Sequence, residues 1–365
     1  MSKVLQLIAT TTEQHLKEVA DTTVRNHPVF ALLQQRGRIE KNARGRFLQW
    51  PVKMGLPQAR AFTDAYIDYS QSDKYRPAQL EWKGLYATDS MTEKERLQNK
   101  GDAAILDRYA EIVPDLQESL VEQFSMSLYA DGSMTDLLDG LETMFAVGGT
   151  TVAADKVAIP SGTYAGLSTA PGTTSAVWSA SLTTKPNAAF GYDWPAGNGM
   201  REFDFWSPRC INWSSTSWVD SNHTTFKDTG EYVIRQAIQW TIAAQGQPGR
   251  ADLCVLSPEL YTELTNGLVS RQRIIAPAKR LLDLGFPEGF ALDGVEVTSD
   301  FAVPARTGYL LNTDKISLMS LTSDLFASRG PEWDPRTASY LFLVYYFGNF
   351  RFKSPKFFAK LYNYA

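Results

Sequence analysis

The chain has 365 residues, of which 44% are hydrophobic and 21% charged, values typical of a globular protein with a large core and not of a disordered chain. Its formal net charge of −4 argues against a protein whose main task is binding nucleic acid. The only two cysteines, Cys210 and Cys254, are too few for a disulfide framework or a multi-thiolate zinc site.

Residues 1–45 are predicted to form a polar arm with short helices. Pro28 favours the first turn of a helix, where no backbone N–H is needed, and Gly37 can end it. A basic run follows, opposed only by Glu40, and consists of Arg36, Arg38, Lys41, Arg44 and Arg46. Two interpretations stay open for this run: a solvated linker, or an arm that lies on an acidic partner or near DNA.

Residues 46–90 are typical of a long two-stranded excursion. Residues 47–52 are predicted to be one strand and residues 79–86 its return, with a polar loop between them that carries Tyr66, Tyr69 and Tyr75. An isolated ribbon of this length buries too little surface to be stable alone. It is therefore expected either to fold back on its own subunit or to lie on a neighbour.

Residues 92–130 carry the clearest helix signal in the chain. Thr92 and Glu95 form a capping box, and from Ile105 to Leu128 apolar residues recur every three or four positions. The stripe is sufficiently explained by a core-facing helix, and its length suggests a structural spine. Pro114 removes one backbone hydrogen bond, so it is predicted to bend the helix or to divide it in two.

Three further segments have readable patterns. Residues 148–199 are almost uncharged and rich in small residues, which indicates short strands and turns or an exposed insertion. Residues 226–244 are an amphipathic helix that ends at Gly246. Residues 340–352 are aromatic and strand-like, and such a strand is expected inside a sheet because an exposed edge invites aggregation. The longest apolar stretch, residues 340–347, is well short of the roughly 20 residues that span a bilayer.

Residues 250–321 are predicted to be a compact α+β module. A short apolar strand precedes Ser257, which caps a helix with Pro258 at its first position, and Asn266 with Gly267 can end that helix. The pair Asp293-Gly294 is a tight-turn signal. It is followed by strand-like segments at residues 295–297, 309–311 and 316–321.

No catalytic constellation is recognisable. The three histidines, His15, His27 and His223, have no metal-ligand spacing, and no phosphate-binding, dinucleotide-binding or nucleophile-elbow motif is present. The sequence assigns no catalytic, cofactor-binding or metal residue. Two functional classes remain: a structural protein that clasps neighbouring subunits, and a carbohydrate-binding or carbohydrate-degrading virion-associated protein that uses the Trp-rich segment 178–218.

The order of several short motifs resembles the major capsid proteins of tailed bacteriophages, whose fold is named after bacteriophage Hong Kong 97. The strongest part is Asp252-Leu-Cys-Val-Leu-Ser-Pro-Glu-Leu-Tyr261, followed by Asp293-Gly-Val-Glu-Val-Thr-Ser-Asp300 and Tyr309-Leu-Leu-Asn312. Upstream, the resemblance continues at residues 91–101, 128–132, 139–144 and 162–166. It extends from about Arg46 to the end; no single motif is diagnostic, but their shared order is.

The resemblance implies an α+β, Hong Kong 97-like capsid fold with an N-terminal arm, an extended β-hairpin loop, a long spine helix, and peripheral and axial domains. The implied boundaries are 1–45 for the arm, 46–91 for the strand and hairpin, 92–147 for the peripheral domain with the spine helix, 148–326 for the axial domain with its Gly/Ser/Thr-rich insertion, and 327–365 for strands that return to the peripheral domain.

The implied function is a major head protein that assembles into pentamers and hexamers of an icosahedral shell around double-stranded DNA. Expected partners are copies of itself, a separate scaffolding protein, a portal, decoration proteins and non-specific packaged DNA, with no membrane and no cofactor. Assembly is expected in the host cytoplasm and the final location in the virion capsid.

Candidate residues follow from these expectations. The hinge candidate is Pro114, and the assembly-interface candidates are Arg36, Arg38, Arg44, Tyr66, Tyr69 and Tyr75. Covalent joining of subunits is not decided by the sequence, because the hairpin lysines Lys53, Lys74 and Lys83 belong to a type too common on surfaces to argue for it.

Overall fold

The computed structural model describes residues 27–53, 75–98, 108–134, 137–152, 156–170, 206–270, 276–277, 279–283 and 289–363. Its helices in this part are α1 Pro28–Gln35, α2 Glu93–Gln98, α3 Arg108–Leu128, α4 Phe226–Gln245, α5 Pro258–Ser270 and α6 Lys279–Asp283. Short 3-10 turns lie at Leu141–Met144, Gln247–Gly249, Thr313–Lys315 and Pro355–Phe357.

The strands in the described residues group into two large sheets and two small ribbons. They are β1 Ile39–Glu40, β2 Leu48–Lys53, β3 Tyr75–Leu80, β4 Lys83–Thr92, β5 Val147–Val152, β6 Val157–Pro160, β7 Thr163–Tyr164, β8 Leu167–Ser168, β9 Arg209–Asn212, β10 Leu253–Leu256, β11 Ala276–Pro277, β12 Phe290–Leu292, β13 Val295–Ser299, β14 Gly308–Leu311, β15 Ile316–Ser320, β16 Ala327–Asp334, β17 Ser339–Phe352 and β18 Ala359–Tyr362.

The five-stranded sheet is built on β17. This strand pairs antiparallel with β4, β15 and β16, and β1 of the arm adds to β15 in parallel. Helix α3 packs on one face, where the ring of Phe124 meets Tyr346 edge-on at 4.6 Å. The predicted interior position of residues 340–352 is therefore confirmed.

The nine-stranded sheet has the order β11-β12-β13-β10-β14-β18-β9-β6-β5. Its interior strand β10 is buried on both faces: Leu253 and Val255 join one core cluster, whereas Cys254 and Leu256 join the other. Helices α4 and α5 contribute to the second cluster. Burial on both faces explains why this strand is a continuous apolar run.

Several local predictions are confirmed. In the capping box, the Thr92 N–H donates to Glu95 Oε2 at 3.1 Å and the Glu95 N–H donates to Thr92 Oγ1 at 3.3 Å. Helix α1 begins at Pro28, α4 runs over the predicted range, and the Asp293-Gly294 turn joins β12 to β13 with positive φ at both residues.

The predicted return strand, residues 79–86, was wrong only in part, because Gln79 and Leu80 do pair with Gln49 and Leu48. Strand β2 pairs with β3, with Lys53 opposite Tyr75, and residues 83–92 form β4, which pairs with β17 instead. The alternating pattern predicts extended backbone but not its partner, and residues 83–86 pair with the distant residues 345–348 of β17. The loop residues 54–74, which include Tyr66, Tyr69 and Lys74, lie outside the described residues.

The prediction that residues 250–321 form one compact module was also wrong. Strands β10, β13 and β14 lie in the nine-stranded sheet, but β15 lies in the five-stranded sheet beside β17. Similarly, β16 and β17 join the five-stranded sheet whereas the last strand, β18, joins the larger one between β14 and β9. The domain boundaries themselves stay a prediction.

The long-helix prediction is met at residues 93–98 and 108–128, and Gly101 lies outside the described residues. Helix α3 continues through Pro114, so the alternative in which this proline divides it is excluded. The hinge role of Pro114 stays a prediction.

The predicted helix end at Gly267 was wrong, because α5 continues to Ser270. Gly267 is instead a point of close contact with α4: a Cβ atom there would lie 2.3 Å from the backbone oxygen of Lys227. Glycine is needed at this position for helix packing and not for a left-handed turn.

This contact predicts the effect of Gly267→Ala. Alanine in a helix normally stabilises by about 1 kcal/mol relative to glycine. Here overpacking against a backbone atom is expected to lower the free energy of unfolding by about 1–3 kcal/mol. Chemical denaturation measures the change, with the exposed neighbour Asn266→Ala as a control expected to stay within about 0.5 kcal/mol. A more stable Gly267→Ala variant would contradict the packing role.

Candidate assembly surfaces

Two arginines of the basic run bind acidic side chains of their own chain. The Arg36 guanidinium lies 2.7 Å from Asp252 Oδ2 and also donates to the hydroxyl of Thr313, while Arg38 lies 2.5 Å from Asp314 Oδ1. Strand β1 follows directly and pairs with β15. The end of the arm is therefore fastened to the body by ion pairs and by a strand.

The acceptor Asp252 sits where the two sheets meet, just before β10. Its carboxylate also accepts from the backbone N–H of Thr313 at 2.9 Å and lies 3.5 Å from Arg280. Burial raises the pKa of this carboxyl, and the hydrogen bonds from Thr313 act in the opposite direction. Arg36 and Arg280 supply the positive charge that this partly buried carboxylate needs.

A second buried cluster holds His27, the first described residue of the arm. Asp300 accepts from the Tyr129 hydroxyl at 3.0 Å, and the His27 ring lies 3.9 Å from the same carboxylate and 4.8 Å from the Phe301 ring. Burial, followed by the Asp300 charge, raises the pKa of Tyr129, so the phenol stays protonated and donates. His27 is thus buried in the contact between the arm and the body.

The remaining interface candidates differ in position. Arg44 is exposed, and Tyr75 is 59% exposed on the edge ribbon β2–β3. Tyr66 and Tyr69 lie outside the described residues. Pro114 is exposed on α3. Their assembly roles stay proposals.

The five-stranded sheet has an apolar outer face that the sequence analysis missed. Opposite the side covered by α3, Tyr86, Leu341 and Phe347 are 74%, 42% and 49% exposed. Phe347 lies over Gly84, where a Cβ atom would touch its ring at 2.7 Å. The sequence carried a signal for this surface, because residues 340–352 have apolar side chains at positions on both faces of the strand. Monomeric proteins rarely expose a large apolar surface.

The tryptophans do not form a sugar-binding platform in the described residues. Trp206 and Trp213 are 1% and 2% exposed, and the Trp218 indole donates to the Asn212 carbonyl. Trp178 and Trp194 lie outside the described residues. The carbohydrate alternative therefore has no support.

The described part of the chain contains neither a metal-type cluster of side chains nor a helix that could span a membrane. Nowhere in it do three or more His, Cys, Asp or Glu side chains gather in a way that could hold a metal ion. Within the same residues, every helix is too short or too polar to cross a bilayer.

Comparisons with known proteins identify folds that are similar to this architecture. No family model matches the chain, and no curated protein matches its sequence. The capsid asymmetric unit of cyanophage A-1(L) is similar with a TM-score of 0.61, 14% identity and 96% coverage of both chains. The mature capsid of bacteriophage PhiM1 gives 0.53 at 10% identity, with 96% of this chain and 91% of that chain covered.

A third similar structure is the holo-SrpI encapsulin complex from Synechococcus elongatus PCC 7942. Its TM-score is 0.51 at 11% identity, with 100% of this chain and 95% of that chain covered. The chain therefore has the fold of phage capsid proteins over nearly its whole length, and the predicted α+β, Hong Kong 97-like class is confirmed.

The ion pairs of the arm predict that two arginines of one basic run respond differently to substitution. Arg36→Gln leaves the partly buried Asp252 with less compensating charge, so the free energy of unfolding is expected to fall by about 1–3 kcal/mol. Arg44→Gln, at an exposed site, is the matched control and is expected to change it by no more than about 0.5 kcal/mol. If Arg36→Gln lowers the free energy of unfolding in urea no more than Arg44→Gln does, the Arg36 contacts do not stabilise the subunit.

Proposed function

We propose that the chain is the major capsid protein of a tailed bacteriophage, which self-assembles into pentamers and hexamers of an icosahedral shell around double-stranded DNA. The observation that carries the proposal is the shared fold, which covers 96% of both this chain and the cyanophage capsid chain. Because an encapsulin structure is also similar, the fold does not by itself distinguish a phage capsid from an encapsulin. The order of the sequence motifs is what supports the phage assignment.

The outer face of the five-stranded sheet supports a role in contacts between copies. Tyr86, Leu341 and Phe347 form an apolar surface on the most extensively paired strands of that sheet. Aromatic side chains are enriched at protein interfaces because they supply a large contact area at a low entropy cost. Burial in a shell would remove this surface from water.

The net charge of the chain supports a shell whose inner wall does not bind the packaged DNA tightly. Packaged DNA is a dense polyanion, and an inner wall rich in free cations would bind it through counterion release. The net charge is −4, and Arg36 and Arg38 of the basic run are already paired with Asp252 and Asp314. We therefore infer a near-neutral or acidic inner lining, with the basic run engaged by protein carboxylates.

The activity proposed is mechanical and involves no catalysis. The separate scaffolding protein, the portal and the decoration proteins belong to this proposal as partners, and assembly in the host cytoplasm belongs to it as the location. Arg44, Tyr66, Tyr69 and Tyr75 are the interface residues it assigns, and Pro114 is its hinge in α3.

Electron microscopy of the purified chain, alone and with its scaffolding protein, tests the proposal. We expect five- and six-membered rings or lattice fragments from the chain alone and closed shells when the scaffold is present. Heterologous contacts between identical wedges close into such rings. Monomers at every concentration, or particles made of pentamers alone, would contradict it.

The hairpin loop provides a second test. Replacing residues 54–74 with Asn-Gly keeps Lys53 opposite Tyr75 and closes β2 and β3 with a two-residue turn. If the loop packs on a neighbour, the variant is expected to fold as a monomer and to form no shells. Circular dichroism and thermal unfolding verify the fold, and microscopy scores assembly. Shells of normal size would show that assembly does not require the loop.

A further inference from the structure

A pocket of about 430 Å³ opens between the end of β2 and the segment that follows β17. Four of the described residues that line it are cationic, namely Lys53, Arg351, Lys353 and Lys356. No aspartate or glutamate belongs to this described lining. Positive charges gathered in this way repel one another, so a bound anion would stabilise the arrangement.

The positive charge at the pocket is only partly compensated. The Arg351 Nη2 donates to Glu40 Oε1 at 2.6 Å, so this guanidinium has a carboxylate partner. Lys53 and Lys353, in contrast, form no ion pair with any residue that the structure describes. Partial burial, followed by the charge of Arg351, lowers the pKa of Lys353. The pocket therefore retains positive charge that a ligand could balance.

Two buried donors in residues that line the pocket lack an acceptor within the described part of the chain. They are the Ser354 hydroxyl and the Arg351 Nε–H, and Ser354 is only 5% exposed. A buried donor without an acceptor is costly, and native structures rarely contain one. The oxygens of an anion held in the pocket would supply the missing acceptors.

The walls of the pocket are held in place by contacts that need no ligand. The Trp50 indole donates to the Lys353 carbonyl at 3.3 Å, and the Lys353 N–H donates to the Lys315 carbonyl at 2.9 Å. The Lys356 Nζ lies 5.4 Å from the centre of the Phe357 ring. Because these contacts already gather the cations, binding costs little reorganisation.

We propose that this pocket binds a small compound with two or three linked phosphate groups. Lysine binds phosphate as a point charge, and the cations come from two chain segments, so a short chain of phosphates can contact several of them. The volume of the pocket is in the range of small-ligand sites and larger than a single phosphate ion needs. This site goes beyond the proposed shell role and needs no assembly.

Packaged DNA is a second source of phosphate groups. The phosphates of a rigid duplex lie on a convex surface, whereas the donors described above line a concave pocket. A free polyphosphate fits this shape better than a duplex does. The preference also agrees with the proposed inner wall that does not bind the packaged DNA tightly.

Isothermal titration calorimetry of the purified full-length chain with inorganic tripolyphosphate, in buffer free of divalent cations, tests the proposal. The wild type is expected to bind one equivalent per chain, more tightly than orthophosphate. Lys53→Gln and Lys353→Gln are each expected to weaken binding about tenfold or more, because each removes a charged hydrogen bond. Lys94→Gln, at an exposed lysine of α2, is the control and is expected to change the affinity by less than about twofold.

Ser354→Ala separates contact with the ligand from a structural role. The hydroxyl has no partner in the described residues, so its removal is not expected to lower the urea midpoint of the unliganded chain. The affinity for tripolyphosphate, in contrast, is expected to fall by about three- to tenfold. A lower midpoint with unchanged affinity would overturn the assignment of this hydroxyl to a ligand site.

Three further results would overturn the proposal. The first is a folded wild-type chain that does not bind tripolyphosphate, or binds it no better than orthophosphate. The second is unchanged affinity in both lysine variants, with circular dichroism showing that they are folded. The third is equal affinity for a duplex oligonucleotide at the same phosphate concentration, which would indicate an open surface for DNA. Because calorimetry measures ligand binding and electron microscopy scores shells, failure here leaves the proposed shell role untouched.

Discussion

The pairing of β17 with three other strands is the interaction on which the described fold depends. Its 14 residues pair with β4 from Ser339 to Gly348, with β16 from Ser339 to Tyr345, and with β15 from Gly348 to Phe352. One face receives α3 through Tyr346 and Phe350, which contact the Phe124 ring. Strands from the hairpin region, the body and the C-terminal region therefore share one backbone ladder, and none of them could satisfy its hydrogen bonds alone.

The two sheets are held together at a few polar points and not by a continuous apolar layer alone. Asp252 stands before β10 of the larger sheet, whereas Thr313 and Asp314 stand before β15 of the smaller one, and Arg36 of the arm bridges them. A partly buried carboxylate is costly unless it is paired and hydrogen-bonded. The arm thus completes the junction, and the same contacts leave fewer free cations for a polyanion.

The proposed formation of a shell rests on what this architecture leaves uncovered. The side of β17 and β4 away from α3 carries aromatic and aliphatic side chains that nothing in the described residues covers. An exposed apolar face suits a subunit that buries it against another copy, since hydrophobic contact is non-directional and adapts to small angular changes better than polar contact does. Such tolerance is what the proposed pentamers and hexamers of one sequence would require.

Local features could be read from the sequence because their physics is local. The capping box at Thr92, the Pro28 helix start and the Asp293-Gly294 turn depend on residues within one helical turn, and all three were predicted correctly. Only the tertiary structure decided the strand partners of residues 83–92, the division of residues 250–321 between two sheets, and the role of Gly267. Those outcomes depend on which distant backbone supplies a hydrogen bond or fills a gap, and a strand pattern specifies a face but not a partner.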